Sequence, residues 1–291
     1  MATFIHISDL HFPTPVAWKD LRGKMFSGYF NYRLRRKKKY PKILREALWE
    51  KIQSIPYDGL LITGDLTNVS SEIEFAEAKK TLSPLLDERT FIIPGNHDRY
   101  VKKALEPTKL FEKYFAAFLG EALDTDSSSG YLRYKILAGM HCIGLDSNLA
   151  KGFMNASGYV SPQIIQRMLH LLQKRNITKY LLLCHHPIFN PPSQQESDSH
   201  KLHNREELAD LLQNMPPLAY LHGHQHSNWV KRPDPKMPFY VINSASSTML
   251  PDTKHLSGFH VLQSSAGDLS CKRLQFNPEK QQFEECPLAL F

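Results

Sequence analysis

Five short apolar runs in this chain each end in a polar cluster able to hold a metal, and that recurrence restricts the fold more than any other feature. After residues 4–7 comes Ser8-Asp9-Leu10-His11, and after 60–63 comes Gly64-Asp65. After 91–93 comes Pro94-Gly95-Asn96-His97-Asp98, after 181–184 His185-His186-Pro187, and after 220–221 His222-Gly223-His224-Gln225-His226. The runs read as buried strands. Carboxyl ends of adjacent parallel strands converge, so loops far apart in sequence can form one cluster. Imidazole, carboxylate and amide oxygen make an intermediate-to-hard donor set suited to Mn, Fe, Zn or Ni. No cysteine takes part, which argues against a structural zinc site. Singly, each piece is weak: Gly64-Asp65 and Gly95-Asn96 are favoured turn dipeptides, and a lone Asp-x-His is ordinarily a turn. Their joint recurrence at strand ends carries the argument.

Periodicity supplies the rest of the frame. Strands are expected at 3–7, 58–63, 90–93, 140–145, 180–184 and 218–222, and helices at 41–55, 71–86, 103–119, 161–175 and 204–214. Ser161 is a good N-cap and Pro162 a tolerated first-turn residue. From 227 onward the pattern changes to strands separated by turns, at 229–231, 239–242, 258–263 and 269–274. Alternating strands and helices with a β-rich close indicate a layered α/β domain over 1–275, and 276–291 is left as a tail without assignment.

The charge is local. The chain has 291 residues with 36 basic and 29 acidic, a net of +7. Eight positive charges fall at Arg33, Arg35, Arg36, Lys37, Lys38, Lys39, Lys42 and Arg45, so the remainder sums to 7 − 8 = −1. The basicity is therefore one address on the molecule. Cys142, Cys184, Cys271 and Cys286 are scattered without a C-x-x-C pair and read as reduced thiols, which favours a cytoplasmic protein. The opening residues turn polar too early for a signal peptide, and no apolar run approaches the ~20 residues of a membrane span. Attachment to the inner face of a membrane stays open as a peripheral contact.

The quoted motifs resemble the calcineurin-like metallophosphoesterase family, whose pattern D-x-H … G-D … G-N-H-D … H … G-H-x-H they match across roughly residues 1–247. The resemblance implies a four-layer α/β/β/α sandwich with mixed sheets and a two-metal centre, Mn or Fe expected and Zn or Ni the alternatives. By the same resemblance Asp9, His11 and His226 hold one metal, and Asn96, His185 and His224 the other. Asp65 bridges the two. His185 is preferred over His186 because it directly follows its strand. Two ions about 3.5–4 Å apart acidify a bridging water and neutralise phosphoryl oxygens. His97 matches the non-ligand histidine expected to assist the leaving group, with Asp98 orienting its imidazole. Among other histidines, His6 is expected in the core, His222 behind the ligand pair, and His200 and His203 in a solvated loop, 194–203.

Between His11 and the first helix lies an insertion, 12–40, far longer than an ordinary strand-to-helix connection. It carries Trp18, Phe26, Tyr29, Phe30 and Tyr32 ahead of the basic cluster. Aromatics beside cations suit an anionic membrane surface, or else a nucleic-acid backbone. Two substrate classes compete: a lipid-linked phosphodiester or pyrophosphate such as UDP-diacylglucosamine, and a cyclic nucleotide of the cAMP type. The bacterial cyclic-nucleotide phosphodiesterases share the His-Ile-Ser-Asp-Leu-His opening and His-His-Pro. A nuclease and a non-enzymatic scaffold come after these.

Overall fold

The computed structural model describes all residues except 19–20, 24, 32–36, 124–130, 149–154, 253–254 and 266–267. Strands β1 (Ala2–Ile7), β2 (Gly59–Ile62) and β3 (Thr90–Ile92) run parallel in one sheet. The second sheet contains β4 (Glu121–Ala122), β5 (Leu132–Leu137), β6 (Met140–Leu145), β7 (Tyr180–Cys184), β8 (Ala219–His222), β9 (Trp229–Lys231) and β10 (Tyr240–Asn243). Its order is β4-β5-β6-β7-β8-β10-β9, with β6, β7, β8 and β10 mutually parallel and the edges antiparallel. The chain then returns to the first sheet, where β11 (Gly258–Ser265), β12 (Asp268–Asn277) and β13 (Gln282–Cys286) extend antiparallel from β1 in the order β13-β12-β11-β1-β2-β3.

Alternation of side chains explains the layering. Along β1, Phe4 faces between the sheets while Ile5 and Ile7 face outward into a second buried layer; Leu61 and Leu60/Ile62 divide in the same way. On β7, Leu181 and Leu183 point between the sheets and Leu182 and Cys184 outward. Strands buried on both faces need a cover on each side. Helices α2 (Lys42–Gln53) and α3 (Glu72–Leu82) cover the first sheet through Leu44, Leu48, Ile52, Phe75 and Leu82. Helices α6 (Pro162–Lys174) and α7 (Arg205–Asn214) cover the second through Ile164, Met168, Leu172, Leu208 and Leu212. Three apolar layers separate four layers of structure, the α/β/β/α sandwich with two mixed sheets that the motifs imply.

Three local readings change. The helix expected over 103–119 is broken into α4 (Lys102–Leu105), α5 (Leu110–Phe115) and a 3-10 turn, Ala116–Phe118. Pro107 is the cause: it lacks an amide hydrogen, and the residue before it, Glu106, is extended at φ −135°, ψ 137°. In the unassigned 276–291 the structure forms β13, which buries Phe283, and residues 289 and 291 bond to Val230 at the edge of the second sheet. The insertion contains α1 (Met25–Asn31) and a small core of its own, where Val16, Leu21, Met25 and Tyr29 pack on Val69. Arg33, Arg35 and Arg36 lie outside the described residues, as does Tyr32. Lys37–Lys39 form a 3-10 turn in which Lys38 is exposed, while Lys39 pairs with Asp252 at 3.2 Å.

Candidate metal centre

The site forms where the carboxyl ends of β1, β2 and β3 meet those of β7 and β8. Backbone bonds zip the exits together: Asp9 N to Gly64 O, His11 N to Asp65 O, and Gly223 N to His185 O. Two glycines make the approach feasible. A Cβ on Gly95 would stand 2.2 Å from Asp65 Oδ1, and one on Gly223 would stand 2.2 Å from Asp9 Oδ2.

Each carboxylate is divided between loop and centre. Asp9 Oδ2 accepts from His224 N at 3.0 Å, and Oδ1 lies 3.3 Å from His226 Nε2. Asp65 Oδ1 accepts from His97 N at 2.7 Å, and Oδ2 stands between two imidazoles, 3.6 Å from His11 Nε2 and 3.5 Å from His185 Nε2. The histidines follow a matching rule. His11 Nδ1 donates to Thr67 O, His185 Nδ1 to Thr63 O and His224 Nε2 to His200 O, leaving the opposite nitrogen of each with its lone pair turned inward. A carbonyl on one ring nitrogen and a metal on the other is the usual arrangement of a ligating histidine.

Separations among the inward atoms fit metal coordination. Ligands about 2.1 Å from one ion stand roughly 3.0–3.4 Å apart along the edges of an octahedron or tetrahedron. His226 Nε2 is 3.3 Å from both Asp9 Oδ1 and His11 Nε2. On the other side Asn96 Oδ1 is 3.0 Å from His185 Nε2 and 2.9 Å from His224 Nδ1. Two triangles of candidate ligands therefore face each other across Asp65 Oδ2. His186 is turned elsewhere: its Nδ1 meets Ser147 Oγ and its Nε2 the carbonyl of Ala156, both at 2.8 Å. This geometry favours His185 as the ligand.

Charge in the cluster points the same way. Burial alone would raise the Asp65 pKa, but the imidazoles of His185, His97 and His11 hold it well below the ordinary carboxylate range. Against the cost of its own burial, His185 is pushed up to about 9, chiefly by Asp65. The buried Asp65 carboxylate among these rings thus favours positive charge at the centre.

His97 sits beside this centre. Its Nδ1 donates to Asn68 O at 2.7 Å, its ring stacks on Tyr100 with centroids 5.6 Å apart, and it meets His11 edge-on at 4.9 Å. The Asn68 carbonyl is itself held, because Glu74 of α3 accepts from the amides of Asn68, Val69 and Ser71. Asp98 departs from expectation. Its carboxylate accepts from Gly95 N, Leu66 N, Thr67 N and Thr67 Oγ1, each at 3.0 Å, and so ties the β3 exit to the β2 exit. The imidazole it was expected to orient is held by Asn68 and Tyr100 instead. Burial, then the charge of Asp65, pushes Asp98 up to about 7.

Sequence reasoning missed two parts of the site. Arg99, buried, bonds Asp146 Oδ2 through Nε at 3.1 Å and Glu112 Oε2 through Nη1 at 3.0 Å, while Asn148 reaches Pro94 O. This braces the loop that carries Asn96 and His97. The signal was available: Asp146-Ser147-Asn148 is a polar cluster at the end of β6, like the other five. The 194–203 loop, read as solvated with an overhang of the site as the alternative, overhangs the centre. Its His200 carbonyl holds His224, and Glu196 bonds Asn190 and Gln225 with its carboxyl pushed up to about 7 by burial. His6 is fully buried, as expected of a core histidine, and His222, expected behind the ligand pair, is fully buried as well.

A four-layer sandwich whose parallel strands deliver two facing ligand triangles defines the metallophosphoesterase class. The chain belongs to the calcineurin-like phosphoesterase family, whose profile matches residues 2–228. It is 27% identical over 197 residues to the 3′,5′-cyclic adenosine monophosphate phosphodiesterase CpdA of Haemophilus influenzae, covering 65% of this chain and 61% of that protein. It is 31% identical over 171 residues to a probable glycerophosphodiester phosphodiesterase GpdQ of Arcobacter nitrofigilis, covering 58% and 56%. The chain thus spans about three fifths of the length of these relatives. Among solved structures, a dimetal phosphatase from Danio rerio superposes with a TM-score of 0.57 at 15% identity, covering 94% of this chain and 95% of that one. A 5′-nucleotidase precursor from Thermus thermophilus gives 0.52 at 13% identity, covering 97% and 56%. These two likenesses concern the fold alone.

Proposed function

We propose that this chain is a divalent-metal-dependent phosphodiesterase. The observation that carries the reading is the pair of ligand triangles sharing Asp65 Oδ2, with His97 alongside. Two ions held there, with Mn or Fe the expected pair, would neutralise the phosphoryl oxygens and make water nucleophilic near neutral pH. Asp9, His11 and His226 would hold one, Asn96, His185 and His224 the other, and Asp65 would contribute to both. The chain's own contribution is orientation: carbonyls fix the candidate ligand rings, and His97, beside the centre, would give a proton to the leaving oxygen. Both named relatives act on phosphodiesters, one cyclic and one glycerol-linked, which supports that bond class. Hydrolysis of bis-p-nitrophenyl phosphate by manganese-loaded protein, abolished with Asp65→Asn, is the expected result. Inactivity of fully loaded protein overturns the reading.

A second reading rests on one feature of the insertion. Trp18, Phe26 and Phe30 are 56%, 44% and 56% exposed, and Trp18 stacks on Phe26 just ahead of the basic run. Exposed aromatics next to cations fit peripheral attachment to an anionic membrane and a lipid-linked substrate such as UDP-diacylglucosamine. Arg33, Arg35, Arg36, Lys37, Lys38 and Lys39 supply the charge, each gaining about 1 kcal/mol near such a surface. Co-sedimentation with phosphatidylserine liposomes, lost when Arg35, Arg36 and Lys37 to Lys39 become glutamine, is expected; equal binding by the two proteins rejects it.

A further inference from the structure

On the outer wall of the metal cavity, beyond the ligands, lies a carboxylate–imidazole pair. His255 lines the same cavity of about 480 Å³ as Asp65, Asn96, His97 and His226, and its ring stands edge-on to His226 with centroids 6.1 Å apart. We propose that His255 selects the substrate by accepting a hydrogen bond from a hydroxyl on the alcohol arm beside the scissile phosphoryl group. This rests on the phosphodiesterase reading above.

The His255 ring is held at one edge by a carboxylate. Its Nδ1 is 2.9 Å from Asp252 Oδ1, which also accepts the backbone N–H of His255 at 2.9 Å, and the Asp252 amide donates back to the His255 carbonyl at 2.8 Å. The other carboxylate oxygen meets Lys39 Nζ at 3.2 Å, and the Lys39 carbonyl accepts from Leu250 N at 2.6 Å. The last lysine of the basic run therefore fastens this turn to the insertion. A carboxylate only accepts, so the neutral ring carries its proton on Nδ1 and its lone pair on Nε2. Among the described residues nothing bonds Nε2.

Location and chemistry then choose the ligand. His255 lines the cavity beside His226 but outside its ligand triangle, so what reaches it there is a part of the substrate other than the metal-bound phosphoryl group. A lone pair repels phosphoryl oxygens and welcomes an O–H. Further around the cavity are Gln195, Ser197 and Gln225, a polar lining that suits a polyol better than an acyl chain. A group placed to bond a substrate hydroxyl discriminates against the analogue lacking it, less so when water competes. The His255 side chain is 36% exposed, so roughly tenfold is the expected scale.

The test compares two synthetic diesters with one leaving group, p-nitrophenyl glyceryl phosphate and p-nitrophenyl propyl phosphate, on the manganese-loaded full chain. Wild type is expected to favour the glyceryl ester by about tenfold in kcat/KM. His255→Ala should bring the ratio to within about twofold of unity, with metal content by elemental analysis unchanged. His255→Gln, which keeps an acceptor, should recover part of the preference. Lys39→Met, acting through Asp252, should lose part of it, chiefly in KM. A ratio untouched by His255→Ala overturns this proposal alone. Loss of metal in that variant also overturns it, by placing His255 in the metal site. Hydrolysis of neither ester by wild type overturns the phosphodiesterase reading and this proposal together.

Discussion

Asp9, His11, Asp65, His224 and His226 all adopt left-handed backbone, with φ of 53°, 40°, 58°, 70° and 50°. For residues other than glycine that conformation costs about 1–2 kcal/mol each, and it persists only where neighbouring contacts enforce it. Five of the seven candidate ligands are thus held against local preference so that their side chains converge. The convergence of the candidate ligands was legible in sequence because strand direction sends residues at five strand ends to one place. The work of Asp98 was not legible, since which donor a carboxylate meets depends on how two separate exits fold against each other. His97 is where residue-scale chemistry is tested most directly. One of its ring nitrogens lies within 4.8 Å of ligand atoms on both His11 and Asp65, so a ligand role is the competing assignment. His97→Ala is expected to keep its metals, measured by elemental analysis, and to lower kcat by roughly 10²–10⁴. Loss of bound metal would move His97 into the ligand set.

Elements explain what periodicity could not. The apolar spacing of Leu105, Leu110, Phe111, Phe115 and Phe118 mimics one long helix, yet Pro107 divides it, and α5 then lies where Glu112 can reach Arg99. The tail hid a strand because Gln282-Phe283-Glu284-Glu285-Cys286 buries only Phe283 deeply, the pattern of a charged sheet edge. The Arg99 bridge joins three elements: the β3 exit, the β6 exit through Asp146, and α5 through Glu112. Burial opposes the ionised Glu112, but Arg99 holds its carboxyl below the ordinary value. Removing the guanidinium takes the ion-pair partner from the buried Asp146, which keeps only its bonds from Asn148, and from the part-buried Glu112; breaking a buried pair in this way commonly costs about 3–5 kcal/mol. Arg99→Met should therefore lower the urea unfolding free energy by about that amount. The double variant Arg99→Met with Asp146→Asn should regain part of it, because one stranded charge is gone. A single variant within 1 kcal/mol of wild type would deny the bridge its bracing role.

Across the whole molecule, the two sheets enclose polar groups as well as apolar ones. His6, His222 and His260 are fully buried, and each has one ring nitrogen without a hydrogen-bond partner among the described residues. Burial is the leading cause that keeps all three neutral, and it pushes His222 and His260 down to about 3. Such a histidine gives no pH dependence above about 6.5, where folded and unfolded chains are both uncharged. Below that, the unfolded chain takes up protons that the native core refuses, so stability falls as the pH drops from about 6.5 toward 3. Each histidine contributes up to about 1.4 kcal/mol per pH unit in that window. A sandwich that carries its +7 on one segment has a body near neutrality, so general charge repulsion adds little to acid unfolding near pH 6. The core histidines then pull stability down as the pH falls, while Asp98 and Glu196, whose carboxyls burial raises to about 7, pull it the other way, so a single histidine's share is read from the difference between wild type and variant. In chelator, so that metal release does not contribute, His260→Gln should remove one histidine's share of the slope between pH 6 and 4. The variant can still accept or donate toward Ser244 Oγ, which lies 3.2 Å from His260 Nδ1 in the wild type. Urea titrations at several pH values read the slope directly; parallel curves for wild type and variant would show that His260 is protonated in the native core.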